Sequence, residues 1–456
     1  MLPLKLKEIA KAIGAKTNSE IPDIEITNIC TDSRDVRPGS IFVALCGEKF
    51  DGHAFVKTAM ENGALWAVVQ KEGDYGTDNL LFVNTTRQAF LDIAGLYRSK
   101  FSPKVLAVTG SVGKTTTREM IAAVIKSRYK TLKTENNLNN EVGVPKTILE
   151  LDETTEAMVL EFGMVNLGEI RELTVPAKPD IAVITSIGTC HIENLGSREN
   201  IKKAKFEIVE GLKKGGTLLL NKDNDMMKDI SLPDYKVVYY AVEDSSADIT
   251  AKDINEHDGE TDFTIVSENG EYGAHIPAIG VHNVLNALAG FGAGVAAGIE
   301  PEQCALALAN FKNTGMRQKM RIFRGISVVE DCYNANPDSM KAALNTLGAQ
   351  KLPEGERKIA VLGDMLELGT VAESSHYEIG KLAAEKADIL LCFGELSKLI
   401  VSGAKENGME NAFHFENKDE LSGYLRKTAK SGDMIWLKAS RGMKFEDISE
   451  AFFEEA

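Results

Sequence analysis

Apolar residues along this chain fall into short unbroken runs separated by amphipathic stretches, and the clearest example is Val105-Leu-Ala-Val108. A run with no polar alternation reads as a strand buried on both faces. It gives way to Thr109-Gly-Ser-Val-Gly-Lys-Thr-Thr-Thr117, after which Met120, Ile121, Val124, Ile125 and Tyr129 recur at steps of four. That spacing predicts a helix with one apolar face. Further strands are expected at Met158–Leu160, Ile181–Ile184 and Leu218–Leu220, and a helix opens in Gly280–Ala289. Alternation of strand and helix from 104 to about 312 predicts a largely parallel sheet.

Before this block, Ile24–Ile29 alternates, while Ser40–Leu45 and Ala64–Val69 are apolar runs; Phe101-Ser-Pro103 reads as a junction. A second junction is expected near Phe311–Met320. Beyond it, strands at Ser327–Val329, Ile359–Leu362, Ile389–Phe393 and Met434–Leu437, with helices between, predict a second doubly wound sheet. The expected units are residues 1–100, 101–313 and 314–456. A chain of 456 residues has room for about three domains.

Composition narrows the function without naming it. The chain is 43% apolar and 26% charged, as soluble globular proteins are. Its net charge of −15 comes without a basic cluster, which argues against a nucleic-acid partner. A phosphorylated ligand would therefore need locally placed cations and metal. No run reaches the roughly 18 apolar residues of a membrane span, and Met1–Lys7 lacks the apolar core of a signal peptide. The six cysteines are scattered with no Cys-x-x-Cys pair, which predicts reduced thiols in a cytoplasm.

Candidate chemistry centres on the turn after Val108. Amides of a glycine turn and a helix N-terminus both point positive charge at an anion. Lys114 would reach the β- and γ-phosphates and the Thr115 hydroxyl would sit on Mg2+. Val108 stands where the usual consensus has its early glycine, so this is a variant loop with Gly110 taking the early turn. Glu161 ends a strand beside the loop, where a Mg2+ ligand belongs; a solvated strand-end acid is the alternative. His191, in the loop after Ile184, can ligate metal or bond backbone. Lys205 falls inside the apolar stripe Ile201, Ala204, Ile208 and Leu212 of a helix expected over Glu199–Leu212. A buried lysine shifts toward its neutral amine, and a neutral amine can add CO2 to become an anionic carbamate; snorkelling to the surface is the alternative. Asn283 and Asn286, one helical step apart, read an adenine edge or cap their helix. Asp331–Ser339 and Lys438–Arg441 follow strands, at the face where α/β sheets bind ligands. Arg317, Lys319 and Arg321 populate the second junction, where a cation could cross a cleft to phosphate.

Taken together, these motifs resemble the Mur ligase family of ATP-dependent amide-forming enzymes, over the whole length of the chain. The resemblance rests on Thr109–Thr116, Asn137–Pro145, Glu161, His191, Lys205 in Ala-Lys-x-Glu-Ile, Gly280-x-His-Asn-x-x-Asn286 and Lys438-x-Ser-Arg441, in that order. Departures are minor: Ala439 and Asn136 stand where the family commonly has glycine. The resemblance implies an α/β protein of three domains: a small N-terminal substrate domain, a central P-loop ATPase domain with a mostly parallel sheet, and a C-terminal Rossmann-like domain. It implies ATP and Mg2+, with Thr109, Gly110, Ser111, Val112, Gly113, Lys114, Thr115, Thr116, Asn283, Asn286, Arg317 and Asp331 on the nucleotide. Lys114, Glu161, His191 and Lys205 are the implied catalytic set, and Thr115, Glu161, His191 and carbamylated Lys205 the implied metal ligands. Within the family, Asp331–Met340 and Val361–Gly369 narrow the implied partners to UDP-N-acetylmuramoyl-tripeptide and D-alanyl-D-alanine, whereas Asp32–Gly39 and Asp51–His53 are similar to the enzyme of the preceding step as well and do not discriminate. The expected contacts to them are Ser33, Arg34, Gly47, Asn137, Asn139, Asn140, Tyr333, Asn334 and Asn336. A monomeric cytoplasmic chain without nucleic-acid or membrane partners is expected. A nucleotide-triggered switch would use the same loop but need no buried lysine, and a folate-polyglutamate-type ligase would differ at the N-terminus.

Overall fold

Strands that are apolar throughout bury both faces, and the central sheet is built from them. A computed structural model describes residues 1–47, 50–313 and 315–454. Glu48 and Lys49 of the Gly47–His53 loop, and Thr314 at the expected second boundary, lie outside the described residues. Nine strands form the central sheet in the order 270–276, 260–267, 249–257, 236–241, 217–221, 181–184, 104–109, 157–161 and 131–133. From Lys104–Thr109 the pairing is parallel on both sides. Leu106 and Val108 point into one core with Met120, Val124 and Leu288. Val105 and Ala107 point into the opposite core with Ile148, Leu173 and Ile201. Packing on both faces removes the period-two signature and leaves the continuous apolar run.

The alternation expected from 104 to about 312 holds only in part. Ile249–His257, Glu260–Ser267 and Gly270–Ile276 form an antiparallel meander with no helix between them. The expected helical face of residues 120–129 also ends early: the helix spans Lys114–Lys126, and Tyr129 lies beyond it. The helix expected over Glu199–Leu212 is two pieces, Arg198–Phe206 and Ile208–Gly211.

A four-stranded parallel sheet, Asn28–Cys30, Ser40–Val43, Trp66–Val69 and Leu80–Phe82, precedes the central one. The alternating stretch Ile24–Ile29 divides, because Glu25–Ile26 pairs instead with Leu4–Lys5. Helix Thr86–Arg98 lies between the two sheets, and its Phe90 and Tyr97 join Val43 and Trp66 to the core under Ala107. The six-stranded C-terminal sheet runs 319–323, 326–330, 434–438, 358–363, 389–393 and 412–415. Lys319–Phe323 is its antiparallel edge, so the stretch expected as junction is partly strand. Among the described residues no helix is long and apolar enough to cross a membrane.

Candidate active site

The phosphate loop follows directly from the strand that precedes it. Lys104–Thr109 ends, the chain turns, and Lys114–Lys126 begins at Gly113, whose φ of 82° lies in the left-handed region. A Cβ there would also stand 2.7 Å from Asn286 Oδ1, so position 113 requires glycine. Lys114 Nζ donates to the carbonyls of Gly110, at 2.8 Å, and Ser111, at 3.4 Å. The amine is folded onto the loop that would receive an anion.

Glu161 is 1% exposed and every side of its carboxylate is engaged. Oε1 accepts from Thr115 Oγ1 at 3.2 Å and Asn139 Nδ2 at 2.8 Å. Oε2 accepts from Arg118 Nη1 at 3.1 Å. The strand-end acid is therefore a built part of the loop, not a solvated one. Hydroxyl and carboxylate oxygens side by side suit a hard cation such as Mg2+. His191 lies at the edge of the same cavity with φ 62°, and its Nδ1 is 3.0 Å from Glu367 Oε2. That contact is misaligned for a hydrogen bond, leaving Nδ1 buried without a hydrogen-bond partner among the described residues. An unmatched imidazole nitrogen of this kind fits a metal ligand.

Lys205 does not snorkel. It is 2% exposed, and among the described residues its ammonium makes no hydrogen bond. Burial, with Lys114 nearby, pushes its pKa down to about 7. It is not one of the residues that line the cavity.

That cavity, of about 900 Å³, is shared by the central and C-terminal units. Ser111–Thr116, Asn137, Asn139, Asn140, Glu161 and His191 line one side; Asp331, Tyr333, Asn334, Asn336 and Lys438 line the other. Asp331 Oδ2 accepts from Lys438 Nζ at 2.6 Å, a largely buried pair. Asn336 Oδ1 caps the helix Pro337–Ala349 by accepting from Ser339 N. The Arg317 guanidinium stacks over the Tyr333 ring at 4.0 Å. Lys319 and Arg321 turn instead toward Glu330, on the edge strand and away from the cleft. Asn283 and Asn286 are buried and do not cap their helix. Asn286 Oδ1 accepts from Thr117 at 3.0 Å and its amide donates to Asn283, knitting the loop helix to Val281–Ala296.

Three residues escaped the sequence reading. Arg118 is buried against Glu161. Gln318 donates to His282 at 2.7 Å and accepts from Asn283 at 2.6 Å, bridging the two units. Asp338, at the start of its helix, accepts from Thr189 N at 3.2 Å. In the N-terminal unit, Ser33 is buried, Arg34 is exposed and paired with Asp32, and neither lines the cavity. Gly47 sits beside Arg87, which does line it and donates to the Cys46 carbonyl.

A phosphate loop, a clamped acid at the neighbouring strand end and a second α/β unit facing the same cavity define a phosphoryl-transferring enzyme. Residues 25–128 match the Mur ligase family, catalytic domain; residues 108–294 match the Mur ligase middle domain. Residues 316–441 match the Mur ligase, glutamate ligase domain. The chain belongs to the Mur ligase family. It is 37% identical to UDP-N-acetylmuramoyl-tripeptide–D-alanyl-D-alanine ligase of Bacillus subtilis, over 100% of this chain and 99% of that one. Its fold is similar to MurF from Acinetobacter baumannii, with a TM-score of 0.91, 30% identity and 99% of each chain covered. It is also similar to the MurF ligase of Thermotoga maritima in complex with ADP, with a TM-score of 0.84, 28% identity, and 93% of this chain and 96% of that one covered.

Proposed function

We propose that this chain uses ATP to join D-alanyl-D-alanine to UDP-N-acetylmuramoyl-tripeptide, a step of peptidoglycan precursor synthesis. What carries the reading is the single cavity walled by the phosphate loop on one side and Asp331, Tyr333 and Asn334 on the other. A nucleotide and an amine acceptor have to meet in one space for this chemistry, away from water that would hydrolyse the intermediate.

In the first step a carboxylate oxygen of the tripeptide attacks the γ-phosphorus of ATP, and the bond to the leaving ADP oxygen breaks. Lys114, released from the Gly110 and Ser111 carbonyls, carries positive charge to the transferring phosphoryl. Thr115, Glu161, His191 and a carbamylated Lys205 would hold Mg2+, which when bound screens the two anions from each other. The carbamate forms one bond from Lys205 Nζ to CO2 and releases one proton; the amine's pKa of about 7 favours the neutral nucleophile. In the second step the dipeptide amine attacks the acyl carbon, phosphate leaves, and the amine gives up its surplus proton. Asn283, Asn286, Arg317 and Asp331 are assigned to the nucleotide. Asn137, Asn139, Asn140, Tyr333, Asn334 and Asn336 are assigned to the two peptides, and Ser33, Arg34 and Gly47 to the uridine end. Residues 1–100, 101–313 and 314–456 serve as the uridine-substrate, ATP and acceptor domains. The six free thiols suit a cytoplasmic enzyme, which we take to act as a monomer.

Phosphate release measured with ATP and Mg2+, omitting each peptide substrate in turn, tests the reading. Release that needs both, with a pentapeptide product by mass, is expected. Release indifferent to both would return the chain to a nucleotide hydrolase or switch.

A further inference from the structure

Arg118 is four residues past Lys114 and 1% exposed, in a helix almost wholly buried. A guanidinium that deep needs partners for its donors. Nη1 donates to Glu161 Oε2 at 3.1 Å and to the Asn136 carbonyl at 3.0 Å. Nη2 donates to Glu119, which Lys133 neutralises at 2.7 Å, and Nε has no partner among the described residues. The Asn136 contact is the informative one. Asn136 has φ 48°, in the left-handed region, which asparagine tolerates better than most non-glycine residues. Three residues on, Asn139 donates to the other oxygen of Glu161, and its carbonyl accepts from Gly163 at 2.8 Å. One guanidinium thus ties together the phosphate-loop helix, the asparagine segment and the end of the strand Ala157–Glu161.

We infer that Arg118 is a positioning residue: it occupies Glu161 Oε2 and pins the asparagine segment, so that Oε1 alone is presented beside Thr115 toward the phosphate loop. This rests on the reading of Glu161 as a metal ligand. It assigns Arg118 no contact with substrate. Its charge is consumed by two carboxylates, so its contribution is the orientation of one of them.

The test is Mn2+ binding to the full chain saturated with ADP, read by the electron paramagnetic resonance of free Mn2+, beside ADP binding in chelator. Arg118→Met is expected to weaken Mn2+ binding about tenfold or more, with ADP affinity in chelator changed less than twofold, and Arg118→Lys to fall between. Arg118→Gln, which keeps an uncharged donor toward Glu161, makes the same comparison should the methionine variant fail to fold. Glu161→Gln is the control. If it weakens Mn2+ binding and the Arg118 variants do not, the positioning role is overturned alone. If Glu161→Gln binds Mn2+ as the parent does, the ligand reading falls and the inference with it. Parallel loss of Mn2+ and ADP affinity in the Arg118 variants would mark a merely structural arginine and also overturn it.

Discussion

Two ionisable groups lie buried in the central unit, and they are treated in opposite ways. Glu161 is met by a hydroxyl, an amide and a guanidinium. Lys205, equally buried, has no hydrogen-bond partner among the described residues, and its pKa falls to about 7. A carboxylate surrounded by donors is held in one orientation, whereas an amine without acceptors drifts toward neutrality. The difference separates a group whose partners are all in place from one whose partners are missing: Glu161 is fully engaged in the folded chain, and Lys205 has no acceptor among the described residues.

Removing each group should break that symmetry of burial. Glu161→Ala removes one of the two carboxylates that face Arg118, a buried charge, and should cost about 1.5–3 kcal/mol in urea unfolding as well as abolishing phosphate release. A fully stable Glu161→Ala chain would mean the clamp contributes little. Lys205→Met should do the reverse to the fold. Replacing an unpartnered buried amine by an apolar side chain of similar length should leave stability unchanged or raise it by about 1–2 kcal/mol, while phosphate release falls at least a hundredfold. Loss of stability in that variant would show that the amine has a partner after all. Asn136→Gly relieves the left-handed backbone and keeps the carbonyl that Arg118 uses. A gain of up to about 1 kcal/mol is expected, read as a higher Tm with activity intact.

His282 gives the smallest and most local test. It accepts from Gln318, and burial pushes its pKa down to about 4, with Asp331 opposing that shift and Lys438 adding to it. Its folded pKa lies below its unfolded value, so protons bind the unfolded chain first. Stability should be lost as pH falls from about 6.5 through 4 and level off below. His282→Gln should flatten that part of a Tm–pH curve; an unchanged slope would point to other groups.

Much of this was legible before any coordinates. The strands at 104–109, 157–161, 181–184 and 217–221 are buried on both faces and so read as apolar runs. Lys114 and Thr115 open the helix that follows one strand and Glu161 ends its neighbour, where topology limits what they can do. The meander was not legible because Ile249-Thr-Ala-Lys-Asp-Ile-Asn-Glu-His257 has exposed polar residues and one buried position. Ala412–Phe415 is too short to stand out, and Lys319–Phe323 is a charged edge. The break at Glu207 leaves the spacing of apolar residues intact, because Ile201 and Ala204 on the first piece, Ile208 on the second and Leu212 just beyond it are all buried. Arg118 carried one overlooked cue: Arg118-Glu119 is a charged pair in the middle of a helix that the preceding strand forces into the interior. Gln318 and Asp338 carried none, since each matters only through a residue far away in the chain.

The two large units also meet at Gly188. Its amide donates to Ser111 Oγ at 2.9 Å, and a Cβ there would meet Asp338 Oδ2 at 2.0 Å. The Thr189–Asp338 bond beside it joins residues 149 positions apart in the chain. In evolutionary terms this couples two stretches of sequence with no local reason to covary. A side chain gained at 188 would have to displace the Asp338 carboxylate and with it the bond to Thr189, so a change on one side of this joint is felt on the other.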